Sequence, residues 1–213
     1  ATVRRGLGGL ENLSGIPGSV GGAVAMNAGA YGAAVSDALQ SVTVLTKDGA
    51  VLALSHADCG FAYRTASGLT EAIVLAARWR LTLGDPAALH EQRRQILTRR
   101  KRSQPLEFPS AGSVFKRPPG DFASRLVDAA GLKGVAVGGA QISPKHAGFI
   151  VNIGGATCAH VLELIRICRT TVAQCFGVHL ELEQRLCLGQ DTLPPQCGFP
   201  GFTPGNQRII GIP

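Results

Sequence analysis

Aromatic side chains are scarce in this sequence: Phe, Trp and Tyr make up 5% of 213 residues, with a single Trp. A basic surplus without aromatics argues against a nucleic-acid binder, which sets stacking platforms beside its cations. No apolar run reaches the roughly 18 residues of a membrane-spanning helix. Neither nucleic acid nor membrane is therefore expected as a partner. The first residues show no signal-peptide pattern. Acidic residues are outnumbered, 14 Asp and Glu against 21 Lys and Arg, leaving a formal charge of +7. That balance favours anionic ligands or simply a basic surface. Six cysteines (Cys59, Cys158, Cys168, Cys175, Cys187 and Cys197) form no CxxC pair and no metal-finger spacing, so no metal is expected. Several fall at apolar positions, where a free thiol acts as a small hydrophobe, and a reduced, cytoplasmic protein is the expectation.

What is abundant is glycine, and it is concentrated. The segment from Leu13 to Gly32 holds six glycines in twenty residues and almost no charge. Glycine serves where φ must be positive or where a ligand must approach the backbone. Bare backbone N–H groups in such a run can form a concave anion site, and a tight turn-rich loop accounts for it equally well. The run is neither a GxGxxG fingerprint nor a Walker loop.

The 45% hydrophobic content of the chain predicts a globular protein of one or two domains. Ser41–Thr46 and Val51–Leu54 flank Lys47-Asp48-Gly49-Ala50, the pattern of a β-hairpin. Glu71 to Leu83 reads as one further strand. Asp85-Pro86 is an N-cap followed by a first-turn proline, and the helix it opens extends to Arg102, before Pro105. Its cationic residues, Arg93, Arg94, Arg99, Arg100, Lys101 and Arg102, read as a solvated face or as a binding surface. Beyond Pro105 the pattern predicts a strand at Ser113–Lys116 and a helix from Asp121 to Ala130 closed by Gly131. It continues with a buried strand at Phe149–Val151 and a helix from Ala159 to Phe176 capped by Thr157. Val178 to Leu188 alternates as a strand that sets Glu181, Glu183 and Arg185 on one face. The residues after Gly189 are rich in Pro and Gly and read as a loosely attached tail.

Several blocks in one order resemble the UDP-N-acetylenolpyruvoylglucosamine reductases, flavoenzymes of bacterial peptidoglycan synthesis. They are Ser14–Gly22, Met26–Gly32, Gly60–Arg64, Pro109–Lys116, Ala129–Gly134, Gly138–Ser143, His146–Asn152 and Leu182–Arg185, so the likeness runs from about Leu7 to Gly189. It is nearest to the short form, which lacks an insertion after the Arg64 motif.

The resemblance implies an α+β protein with an incomplete vanillyl-alcohol-oxidase-like FAD-binding domain at 1–83 and a linker helix at 84–104. A smaller α/β substrate domain at 105–189 and a tail at 190–213 would follow. In that family a further flavin-binding subdomain precedes the glycine run, and residues 1–12 cannot supply it, so the sequence reads as a fragment. FAD would be held by Ser14, Gly15, Ile16, Pro17, Gly18, Ser19, Gly21, Gly22 and Asn27, with NADPH as reductant. A UDP-sugar would be bound by Tyr63, Lys116, His146 and Arg185. Arg64 would hold and polarise the substrate carboxylate, Glu183 would act in the active site, and Ser113 would donate a proton. Arg117 stands where the family often has asparagine, which puts one substrate contact in question. The pattern alone leaves open a module that binds anions or nucleic acid through Arg93–Arg102.

Overall fold

The computed structural model describes residues 1–186, and its contacts divide the chain into two units, Ala1–Gln104 and Pro105–Pro213. Among the described residues no helix is long and apolar enough to cross a membrane, and no group of three or more His, Cys, Asp or Glu could hold a metal ion.

In the first unit, β1 (Leu7–Gly8) leads to the glycine run. The run is not loop throughout: after a turn at 14–18 it forms a short helix, α1 (Val20–Ala25). Ser19 caps this helix by accepting a hydrogen bond from Gly22 N–H at 3.0 Å. Helical glycine is costly by itself, but here it has a packing reason. A Cβ on Gly21 would lie 3.3 Å from the carbonyl oxygen of Val74, so only glycine lets helix and strand come this close without adjustment.

A hairpin of β2 (Gly29–Ala30) and β3 (Ala33–Ala34) follows. Its central residues Tyr31 and Gly32 both have positive φ, 51° and 81°, as a two-residue turn of this hand requires. Next come β4 (Leu39–Leu45) and β5 (Val51–Ser55), the expected hairpin, with Leu45 opposite Val51. A small hairpin of β6 (Phe61–Ala62) and β7 (Thr65–Ala66) precedes β8 (Ile73–Trp79) and β9 (Thr82–Leu83). The single strand expected from Glu71 to Leu83 is thus two. The first part joins a sheet in the order β5-β4-β8, and the second leaves it to pair with β1. Val24, Val35, Leu39, Val42, Val44 and Leu69 form the core. The unit closes with α2 (Pro86–Ser103), whose N-cap Asp85 accepts from Ala87 and Ala88 N–H as the sequence predicts.

The second unit is a four-stranded sheet covered by helices. Its strands are β10 (Ser110–Ser113), β11 (Ala136–Val137), β12 (Ala140–Ile142) and β13 (Phe149–Asn152), in the order β10-β13-β12-β11. The strand expected at Ser113–Lys116 therefore begins and ends earlier. The helix expected from Asp121 is α3 (Ala123–Ala129); Gly131, at φ 72°, ends it as foreseen. α4 (Cys158–Phe176) starts at Thr157, whose hydroxyl accepts from His160 N–H. It buries Leu164, Ile165, Cys168 and Val172 against Leu126, Val127, Ile142 and Ile150.

Of the strand expected from Val178 to Leu188, residues 178–186 are described, and they do not form a continuous strand. Within the described residues that segment makes one antiparallel bridge, Leu182 with Phe115. Leu180 is buried as the alternation implies, but among the described residues a single bridge is the segment's strand pairing. Residues 187–213, with Cys187, Cys197 and the tail expected beyond Gly189, lie outside the described residues. Of the other cysteines, Cys59 and Cys168 are buried in the two cores, and burial pushes the Cys168 thiol up to about 12. Cys158 and Cys175 are exposed.

Candidate functional site

In the first unit the turn at 14–19 presents backbone at the surface, with Gly15, Pro17, Gly18 and Ser19 exposed and Ser14 and Ile16 half-buried. Gly15 and Gly18 have φ of 78° and 112°, values that side-chain-bearing residues rarely adopt. Gly21 and Gly22 lie in α1. Asn27, 7% exposed and at φ 42°, has its side chain tied to the chain itself. Its amide donates to Ala62 O at 3.0 Å, and its Oδ1 accepts from Ser36 N–H at 3.0 Å. This bracket fastens the β6–β7 hairpin to the end of α1.

Tyr63 and Arg64 form the turn of that hairpin, and Arg64 has φ 55°. Its Nη2 donates to Gly29 O at 2.9 Å, and its guanidinium carbon lies 5.2 Å from the Tyr63 ring centroid. Gly29 is small for this reason: a Cβ there would stand 2.9 Å from Ala33 O and 3.0 Å from Arg64 Nη1. A left-handed arginine in a tight turn is strained, and such strain gathers where a side chain must be aimed.

One residue of this site escaped the sequence reading. Arg100 belongs to the basic run of α2, yet it is only 5% exposed, whereas Arg93, Arg94, Arg99, Lys101 and Arg102 are solvated. Its Nε donates to Ser14 O at 3.2 Å and its Nη1 to Gln104 Oε1 at 3.2 Å. Arg99 and Arg100 set their guanidinium carbons 4.9 and 5.4 Å from the Tyr31 ring. Helical spacing held the signal: position 100 lies three and four residues beyond Leu97 and Ile96, on the apolar stripe.

In the second unit, Ser113 ends β10, which carries an irregularity in its pairing between Ser110 and Ser113 around Gly112, at φ 80°. Such bulges re-aim the side chains near them. Glu183 N–H donates to Val114 O at 2.9 Å and Lys116 N–H to Glu181 O at 2.8 Å. These two bonds and the Phe115–Leu182 bridge draw Ser113, Lys116, Glu181 and Glu183 into one patch, although some 65 residues separate the two segments. Lys116 Nζ forms an ion pair with Glu181. Glu183 is half-buried and Arg185 exposed.

His146 sits in the turn before β13, edge-on to Phe149 with ring centroids 5.0 Å apart, and Phe149 pairs with Ser113. Its Nδ1 accepts from Gly148 N–H at 3.1 Å, which leaves Nε2 to carry the proton of the neutral ring. Burial holds its pKa below the usual histidine value, with Lys133 nearby acting in the same direction. Arg117, the departure noted in the sequence, lies over the exposed Phe122 ring at 4.3 Å.

The first unit couples a glycine-rich surface turn to a small antiparallel sheet, and the second gathers a serine, a lysine and two glutamates on an α/β scaffold. Comparison with known proteins gives these units their class. A family model described as FAD binding domain matches residues 1–55, and one described as UDP-N-acetylenolpyruvoylglucosamine reductase, C-terminal domain, matches residues 104–187. The class is thus an α+β flavoprotein fold with a reductase C-terminal domain.

A UDP-N-acetylenolpyruvoylglucosamine reductase of Exiguobacterium sibiricum is 50% identical over 181 residues, 84% of this chain and 60% of that protein. UDP-N-acetylenolpyruvoylglucosamine reductase 2 of Symbiobacterium thermophilum is 49% identical over 193 residues, 90% of this chain and 63% of that protein. The crystal structure of the Thermus caldophilus reductase superimposes with a TM-score of 0.77 at 42% identity, covering 86% of this chain and 66% of that one. The chain belongs to the UDP-N-acetylenolpyruvoylglucosamine reductase family. It spans about three fifths of the length of the curated relatives it matches.

Proposed function

We propose that this protein takes part in the NADPH-dependent reduction of UDP-N-acetylglucosamine enolpyruvate to UDP-N-acetylmuramate, a cytoplasmic step of peptidoglycan precursor synthesis that uses FAD. The observation that carries the reading is the backbone tie between 113–116 and 181–183, which assembles Ser113, Lys116 and Glu183 from distant segments. The 14–19 turn fits a dinucleotide: it offers exposed backbone with little side-chain bulk, above a buried cation.

FAD, when bound, supplies the hydride; the protein supplies placement and charge. Arg64 takes the substrate carboxylate, for which its planar fork of donors is suited. Reduction of the enol ether builds negative charge toward that carboxylate, and Arg64 stabilises it. Ser113 gives its hydroxyl proton to the carbon beside the carboxylate, as a general acid. Glu183 holds a place in the active site beside it. Lys116, Arg185 and His146 bind the UDP-sugar, and Tyr63 lies against Arg64 where it too meets substrate. Ser14–Ser19, Gly21, Gly22 and Asn27 shape the flavin side.

The test is Ser113→Ala in the flavin-loaded enzyme. Turnover is expected to fall on the order of 100- to 10,000-fold, the range for loss of a positioned general acid. NADPH is expected to bleach the flavin at its normal rate in stopped flow. Reduction slowed as much as turnover removes Ser113 from the proton-donor role.

A further inference from the structure

Gln184 breaks the pattern of its own segment. Val178, Leu180, Leu182 and Leu186 occupy alternate positions, Leu180 buried in the core of the second unit and the others packed against it. Gln184 stands in that row, half-buried, with an amide where the alternation calls for an apolar side chain. An amide drawn out of water needs a partner to offset its lost hydration. Its Nε2 donates to Gly112 O at 3.4 Å, across 72 residues of chain.

The acceptor lies in the irregular stretch of β10. Ser110 pairs with Val151 and Ser113 with Phe149, so Ala111 and Gly112 together face Ile150. One residue of such a pair loses its place in the ladder. Gly112 N–H turns back to Ser110 Oγ at 3.4 Å, and Gln184 supplies a donor for Gly112 O. Gly112 has φ 80° and nothing within 4 Å of a would-be Cβ, so no neighbour crowds it into that conformation. Its carbonyl belongs to the peptide plane that ends at the Cα of Ser113. Holding the oxygen therefore fixes the direction in which Ser113 leaves the bulge. Beyond Ser113 the chain is tied again, by Val114 N–H to Gly148 O and Glu183 N–H to Val114 O, both at 2.9 Å.

We propose that Gln184 is a positioning residue for Ser113: its amide holds the Gly112–Ser113 peptide and so aims the serine hydroxyl. The proposal rests on the reading of Ser113 as proton donor. Gln184 acts through one carbonyl and needs no contact with substrate or flavin. A proton donor set slightly out of place loses much of its effect, because transfer requires hydrogen-bond reach and alignment to the reacting atom.

Two variants have in common only the loss of the donor: Gln184→Leu, which completes the apolar row, and Gln184→Glu, which keeps the shape. The chain contains two Gly-Ser peptides, Gly18-Ser19 and Gly112-Ser113. Isotope labels on the glycine carbonyl carbon and the serine nitrogen therefore isolate these two in an NMR spectrum of the 213-residue chain. Both variants are expected to move the Gly112 carbonyl resonance upfield, as for a carbonyl that loses a hydrogen bond, and to leave that of Gly18 in place. In the flavin-loaded enzyme both are expected to lower kcat about tenfold, with KM for the UDP-sugar within about twofold. Flavin reduction by NADPH is expected to keep its normal rate.

Combining Gln184→Leu with Ser113→Ala separates aiming from support of the fold. Acting through Ser113, Gln184→Leu costs nothing further once the hydroxyl is gone. A residue that only supports the fold lowers kcat alike in both backgrounds, and that result overturns the proposal. So does a Gly112 resonance that stays in place in both variants. Turnover lost in Ser113→Ala but kept in Gln184→Leu leaves the proton-donor reading intact and removes the role of Gln184. Turnover untouched by Ser113→Ala removes the proton-donor reading itself, and the aiming role with it.

Discussion

Replacing Gly15 with alanine tests the turn at its most constrained point. Two costs arise there. At φ 78° an alanine occupies the left-handed region, at about 1–2 kcal/mol. Its new methyl would also stand 2.8 Å from Leu97 Cδ2 and 3.1 Å from Arg100 Cδ, well inside carbon–carbon contact distance, and overpacking of that kind adds about 1–3 kcal/mol. The expected loss is about 2–5 kcal/mol. Gly32 separates the two terms, because it has φ 81° and nothing within 4 Å of its would-be Cβ. Gly32→Ala is thus expected to cost the backbone strain alone, about 1–2 kcal/mol. Guanidinium melts read by Trp79, the single tryptophan and a residue of β8, report on this unit. At roughly 2–4 °C per kcal/mol for a chain of this size, the two variants should be resolved in Tm as well. Equal losses for Gly15→Ala and Gly32→Ala would refute the packing of Leu97 and Arg100 against the turn.

Two further outcomes test the second unit. Leu164 is fully buried whereas Phe176, on the same helix, is 40% exposed. Leu164→Ala should therefore cost about 2–5 kcal/mol by circular dichroism melts, and Phe176→Ala well under half of that. Burial of His146 makes its folded pKa lower than its unfolded one, near 6.5. The stability it confers is complete above about pH 6.5 and is lost as pH falls through the folded value. His146→Asn, which keeps an acceptor for Gly148 N–H, should flatten this acid limb below about pH 6.5. An unchanged limb places the titration elsewhere.

Local chemistry was legible in the sequence wherever neighbours along the chain decide the outcome. Asp85-Pro86 opened a helix because a carboxylate meets the first free N–H groups, and Lys47–Ala50 turned a hairpin because glycine accepts φ 86° at position 49. Thr157 and Gly131 likewise marked their helix ends. The ordered motifs carried the family and, with it, a list of site residues. The helix within the glycine run was hidden because propensity counts against glycine, and only the closeness of Val74 to Gly21 overrides it. The break between β8 and β9 was hidden because the apolar run continues while its pairing partner changes from β4 to β1. Val178 to Leu186 alternates like a strand, but a strand needs a neighbour along its length, and here Phe115 supplies one bridge.

Arg100 shows the same division at the level of the site. Composition counts it among six cations of one helix, and helical spacing moves it to the inner stripe. What it does there depends on Ser14, 86 residues away, and on the ring of Tyr31. The sequence by itself determined the family and the residues proposed for its site. The tertiary structure decided which are turned inward, because burial and the distance to a partner's charge belong to the fold and not to any stretch of chain.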